Sequence, residues 1–142
     1  VKWNAGQEVL HIIKSVKALN KALSMPKFAL RMTFGTSNRP TREYGKVVAK
    51  YTARLEEGSV VTTPPFEPGR ITFADREALT AKLSEKVDEL VEKLNKFSDT
   101  DLDKFVLPHP LLGKMPLREM CYFTIYHVGH HLANNKRNLA AM

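Results

Sequence analysis

Between Met120 and Ala133 the chain is apolar on nearly every side of a helix, and the main breaks in that surface are histidines. Such a helix has to be enclosed by others, because a surface helix carries one apolar stripe and one polar face. The segment therefore predicts a helical bundle built around it. Pro116 is a good first-turn residue, since proline's missing N–H is not needed there. The predicted helix runs from near Pro116 to about Ala140.

Three further helical stretches can supply the enclosure. In 5–23, Val9, Ile12, Ile13, Val16, Leu19 and Leu23 recur at helical spacing, and Met25-Pro26 ends the run. Residues 27–34 predict a further helical turn or two, and 35–40 read as loop. In 42–56, Tyr44, Val47, Val48, Tyr51 and Leu55 form a modest stripe with Gly58 as its stop. Pro64, Pro65 and Pro68 make 58–71 a stiff, extended connection. The stretch 73–97 is the cleanest: Thr72 and Asp75 have capping-box spacing, and Leu79, Leu83, Val87, Leu90, Leu94 and Phe97 follow. Its other face is Lys and Glu, so it reads as scaffold without chemistry. Ser98 to Asp101 starts a short acidic connector that runs into 107–113. Strand signals are weak throughout. The expected fold is all-α, an antiparallel four-helix bundle in a single domain, 1–142.

With 43% hydrophobic and 26% charged residues the chain is globular rather than disordered. No apolar run approaches the roughly 20 residues that span a membrane, and no signal-peptide pattern opens the sequence. The single cysteine, Cys121, cannot form an internal disulfide, and its apolar surroundings predict a small buried core residue. A reducing, cytoplasmic setting follows as the expectation. The net charge of +7 resides in residues 1–57, and from 58 to 142 acids and bases cancel. That basic half would attract nucleic acid or an anionic small molecule. A solvated basic face is the simpler reading, since no nucleic-acid motif accompanies it.

Three of the five histidines, His127, His130 and His131, fall within five residues. His127 and His131 are one turn apart, about 40° around the helix, so both rings can reach one metal ion. They continue the inward stripe Met120, Thr124. Enclosed neutral histidines need partners for their ring nitrogens, and a metal is one such partner. Hydrogen bonds to neighbouring helices are the alternative. His11 is the candidate third ligand: it lies off the Val9/Ile13/Val16 face, in line with Ser15, Ala18 and Ala22, small residues that would let another helix approach. Solvent exposure is the alternative for His11. His130, about 60° to the other side of His127, suits a supporting contact. His109, between two prolines, reads as a loop residue able to fold over the site.

Trp3-Asn4-Ala5-Gly6-Gln7-Glu8-Val9-Leu10-His11 resembles the DinB-family segment in which a tryptophan precedes a helix carrying the first metal histidine. His109 to Met120 resembles the loop that enters the last helix, and His127-Val128-Gly129-His130-His131 resembles the H-x2-HH signature on it. The resemblance covers about 1–23 and 107–140, with the middle matching only in helical character. It implies a four-helix bundle, often dimeric, and a metal, commonly zinc or nickel, on His11, His127 and His131. In the family a further helix precedes the one bearing the first histidine. Here Trp3 stands almost at the start, so that helix is expected either to be lost, to lie upstream of Val1, or to be replaced by a segment such as 42–56.

Two functions follow from this reading. In the first, the protein is a metal-dependent enzyme, since three neutral histidines leave a coordination position open to water, thiol or substrate. Relatives implied by the resemblance include thiol-dependent S-transferases and isomerases, so the expected partner is a small-molecule substrate with a low-molecular-weight thiol. The sequence names no catalytic residue: Glu8 and Tyr126 are conceivable acid–base groups, each more readily structural. In the second, the protein is a non-catalytic metal- or ligand-binding stress-response protein.

Overall fold

The chain enters its first helix through Asn4, whose side chain accepts the Gln7 N–H at 2.8 Å while the Gln7 side chain accepts the Asn4 N–H at 3.0 Å. This reciprocal cap fixes the start of α1 (Ala5–Leu23). The computed structural model describes residues 2–58 and 63–142. After α1 come α2 (Lys27–Phe34) and α3 (Tyr44–Glu56). Short 3-10 turns at Pro64–Phe66 and Phe73–Asp75 lead into α4 (Arg76–Leu94). Then follow α5 (Asp99–Lys104), the strands β1 (Val106–His109) and β2 (Gly113–Pro116), and α6 (Leu117–Ala140). The extended connection expected over 58–71 lies partly outside the described residues.

The four long helices lie in the spatial order α4, α1, α6, α3, with α1 packed between α4 and α6. Helix α1 supplies Ile12, Val16, Leu19 and Leu23 to the core, α3 supplies Val47 and Tyr51, and α6 supplies Leu117, Met120 and Phe123. Each such side chain contributes about 1.5–3 kcal/mol on burial. The fold is predominantly helical, as the periodicity predicts, and the expected bounds of α1, α2 and α6 hold closely. Among the described residues no helix is long and apolar enough to cross a membrane.

Three local expectations are corrected. The acidic connector is helical: Ser98 caps Asp101, and Asp101 returns the bond to Ser98, so α5 forms although six residues are too few for periodicity to show. Residues 106–116 form an antiparallel hairpin with Leu107 opposite Met115, turned over residues 110–112 and re-entering the ladder at Gly113 with φ +72°. Both residues are buried, and the hairpin lies against α2 and α6, so tertiary packing stabilises a pattern too short to be seen as strands. Helix α6 is enclosed on one side only: Ile125, Val128 and Leu132 are 65%, 42% and 52% exposed.

The start of α6 is held by a buried acid. Glu119, 1% exposed, accepts from Arg39 Nη1 at 2.6 Å, Arg39 Nη2 at 3.0 Å and the Arg42 backbone N–H at 3.0 Å. Burial pushes this carboxyl up, but its guanidinium and backbone donors outweigh burial and hold it below the usual range. The loop between α2 and α3 is thereby tied to the helix that carries His127 and His131.

Candidate metal centre

Helix α6 presents His127 and His131 one turn apart, and α1 packs along it with Glu8 and His11 on the facing side. All four are at most 6% exposed. The three imidazoles converge through Nε2: His11 to His127 is 3.1 Å and His131 to His127 is 2.9 Å. The three ring nitrogens lie within 4.8 Å of one another. His130 stays outside this triangle and packs on Tyr51, Tyr126 and His131. Tyr126 packs on Tyr51 and His130, as a structural residue does.

Two of the rings are set by what their other nitrogen touches. His11 Nδ1 lies 2.8 Å from the Phe66 carbonyl oxygen, which can only accept. Nδ1 therefore carries the hydrogen, and Nε2 keeps its lone pair. His131 Nδ1 meets a Glu8 carboxylate oxygen, and with Glu8 ionised the same argument leaves a lone pair on His131 Nε2. Both lone pairs point at His127 Nε2, which has at most one hydrogen to set between them. A metal ion would take all three. Tetrahedral coordination with Zn–N of about 2.0–2.1 Å puts ligand nitrogens about 3.3 Å apart, a few tenths wider than the present spacings. The donor set thus fits a divalent ion. Carboxylate–histidine–metal chains of the Glu8–His131 kind orient such ligands.

Burial keeps the three rings neutral, which is the ligating form. It pushes His127 down to about 2, helped by the neighbouring His131 and His11, and His131 down to about 3, helped by His11. His11 is lowered too, by burial against the opposing effect of its Phe66 bond. Glu8 is raised by burial.

The support for His11 comes from residues 63–72, laid along α1. Asn4 Nδ2 donates to the Ile71 carbonyl at 3.1 Å and Gln7 Nε2 to that of Gly69 at 3.3 Å. Gly6 allows the close approach: a Cβ there would stand 2.3 Å from Ile71 Cγ2. Trp3 closes the outer side, its ring 5.1 Å from that of His11 and 6.4 Å from that of His131.

His11 and His127 also border a cavity of about 240 Å³. The line Ser15, Ala18, Ala22 faces this cavity, so its small residues make room for space rather than for a close helix. His109 does fold towards the site, as a wall residue of the same cavity. Sequence reasoning singled out the three histidines that cluster here, but gave Glu8 no specific partner and could not see the Phe66 carbonyl. The available signal for Glu8 was its position one turn before His11 on the same face. A main-chain oxygen leaves none.

A family model described as the DinB superfamily matches residues 1–134. The chain belongs to the DinB superfamily. No curated protein and no solved structure matches it. The DinB match runs through the middle of the chain, beyond the two terminal segments that carry the recognisable motifs. The DinB bundle here brings His11, His127 and His131 into a cluster able to hold a metal ion.

Proposed function

We propose that this protein is a metal-dependent enzyme acting on a small molecule, a thiol-dependent S-transferase or a hydrolase, with zinc or nickel on His11, His127 and His131. The observation that carries the reading is the convergence of three neutral imidazole nitrogens, two of them on rings that line a largely apolar cavity, His11 and His127. A bound ion would supply a Lewis acid with a position left for water, thiol or substrate. Glu8 and the Phe66 carbonyl orient two of the rings. The apolar walls hold an uncharged part of the substrate and exclude water from it. No Asp, Glu, Lys or Arg is among the described residues lining the cavity, so proton transfer there falls to solvent, thiol, histidine or the Tyr51 hydroxyl. The basic N-terminal half would draw in an anionic thiol. A second copy of the chain is the proposed partner, supported by the exposed apolar row Ile125, Val128, Leu132 on α6.

The test is elemental analysis of the protein and of His131→Ala, followed by conversion of an electrophile with a low-molecular-weight thiol. Expected is about one divalent ion per chain, lost in the variant, with turnover following the metal. Bound metal without turnover of thiol-acceptor or hydrolysable probes would favour the non-catalytic metal-binding alternative. No metal after incubation with zinc or nickel would remove the reading.

A further inference from the structure

The side chain of His109 is bound on one edge only. Its Nδ1 accepts the backbone N–H of Leu111 at 3.1 Å and that of Leu112 at 3.2 Å. A nitrogen that accepts two N–H donors carries no hydrogen, so the neutral ring has its hydrogen on Nε2. Among the described residues Nε2 has no hydrogen-bond partner, and it lies on the edge opposite the hairpin turn. The ring is held by Phe123, centroid to centroid 4.3 Å and edge-on, and by Tyr51 at 6.3 Å. It forms part of the wall of the cavity that His11 and His127 border.

Most of the rest of that wall is apolar, with Ile12, Val16, Leu19, Phe34, Leu107 and Met120 among its members, and its uncharged hydroxyl residues are Ser15, Tyr51, Thr63 and Thr124. The hydroxyls of Ser15 and Thr124 are already donated to the backbone carbonyls of His11 and Met120. A cavity of about 150 Å³ with apolar walls holds benzene, so about 240 Å³ holds a substituted ring or a branched chain of similar bulk. A charge in that space would go unpaired.

We propose that His109 is a positioning residue, whose Nε2–H donates to a carbonyl or like acceptor on an uncharged, mainly apolar ligand in this cavity. The proposal rests on the metal-site reading in one respect, that the bound ligand's reactive end faces His11 and His127. Burial and the Lys50 charge hold His109 down at about 4, so the ring stays neutral and its donor stays on Nε2 near neutral pH. The hairpin turn and the ligand contact use opposite edges of one ring, so the turn fixes the direction of the donor.

The test uses the zinc-loaded protein and two probes of the same outline, acetophenone and α-methylstyrene, which differ by C=O against C=CH2. Imidazole 15N shifts are read first without a probe and then through each titration, with zinc content measured on the same samples. His109 is expected as the Nε2–H tautomer, its Nε2 resonance moving with acetophenone and little with α-methylstyrene. In His109→Asn, whose side-chain oxygen can still accept from the turn, acetophenone should bind roughly fivefold more weakly, the worth of one neutral hydrogen bond, while α-methylstyrene is unchanged. A Nδ1–H tautomer, equal responses to both probes, or unchanged acetophenone affinity in the variant would overturn the proposal. Binding of neither probe to protein that holds its zinc would overturn it and leave the metal site standing. Loss of zinc from the parent protein would count against the metal site, while the tautomer and probe readouts would still decide the role of His109.

Discussion

The Glu8 carboxylate meets Nδ1 of His131 across 123 positions of sequence, so α1 both supplies one imidazole of the triangle and orients another on α6. Any shift of α1 along α6 would disturb two of the three rings together.

Replacing Glu8 tests that coupling. Glu8→Gln keeps an oxygen that can accept from His131 Nδ1 but removes the charge, and Glu8→Ala removes both. Loss of such an outer partner costs roughly 10–100-fold in metal affinity. The alanine variant should fall at the far end of that range and the glutamine variant at the near end, measured by competition with a zinc chelator. Equal affinity in all three proteins would deny Glu8 an orienting role.

Gly6 controls the approach of the segment that supports His11. In Gly6→Ala the new Cβ meets the branched Ile71, with Cγ2 at 2.3 Å and Cβ at 3.3 Å, so the chain around Ile71 has to move. The expected cost is about 1–3 kcal/mol, as for other overpacked sites. Combining it with Ile71→Ala removes the clashing methyl and should recover most of the loss, which denaturant melts of the two single variants and the double would show.

Glu119→Ala leaves the Arg39 guanidinium and the Arg42 N–H without their shared acceptor. Breaking a buried ion pair from one side costs about 3–5 kcal/mol. Arg39 keeps some contact with water, its side chain being 27% exposed, which places the expectation near the lower end. Urea unfolding at pH 7 measures it, and a change of only a few tenths would show the cluster to be dispensable.

Acid should destabilise the metal-free protein through its buried histidines. His109, His127 and His131 fall from 6.5 to about 4, 2 and 3 in the folded chain, in each case chiefly by burial. Between pH 6.5 and those lower values the unfolded chain binds more protons than the folded one. Stability is therefore full above about pH 6.5 and declines below it, by up to about 1.4 kcal/mol per pH unit for each histidine. Urea midpoints at pH 7.5, 6.5 and 5.5 in chelator-treated protein should drop mainly over the last interval, and a flat profile would contradict the neutral, buried assignment.

Helix periodicity carried most of the fold because α1 and α6 each bury a stripe long enough to repeat several times. Helix α5 and the hairpin of Leu107 and Met115 were invisible to it, being too short to show a period and stabilised by neighbours distant in sequence. The apolar run of α6 overstated its enclosure, since hydrophobicity records what a surface avoids and not what is there to cover Ile125 or Leu132. At the site, His127 and His131 were legible as a local pair. Their meeting with His11 depended on tertiary packing, which spacing within one helix does not encode. The tautomers depended on Glu8 and on a backbone oxygen, and both became readable only once α1, α6 and the 63–72 segment were placed together.

The Phe66 carbonyl gives the site an uneven tolerance to genetic drift. A codon change at position 66 alters the ring but leaves the oxygen that His11 uses, whereas a change at position 8 erases the partner of His131 outright. One prop of the triangle is thus written into the path of the main chain and the other into a single side chain. Random mutagenesis scored by metal retention should therefore find position 8 intolerant and position 66 permissive.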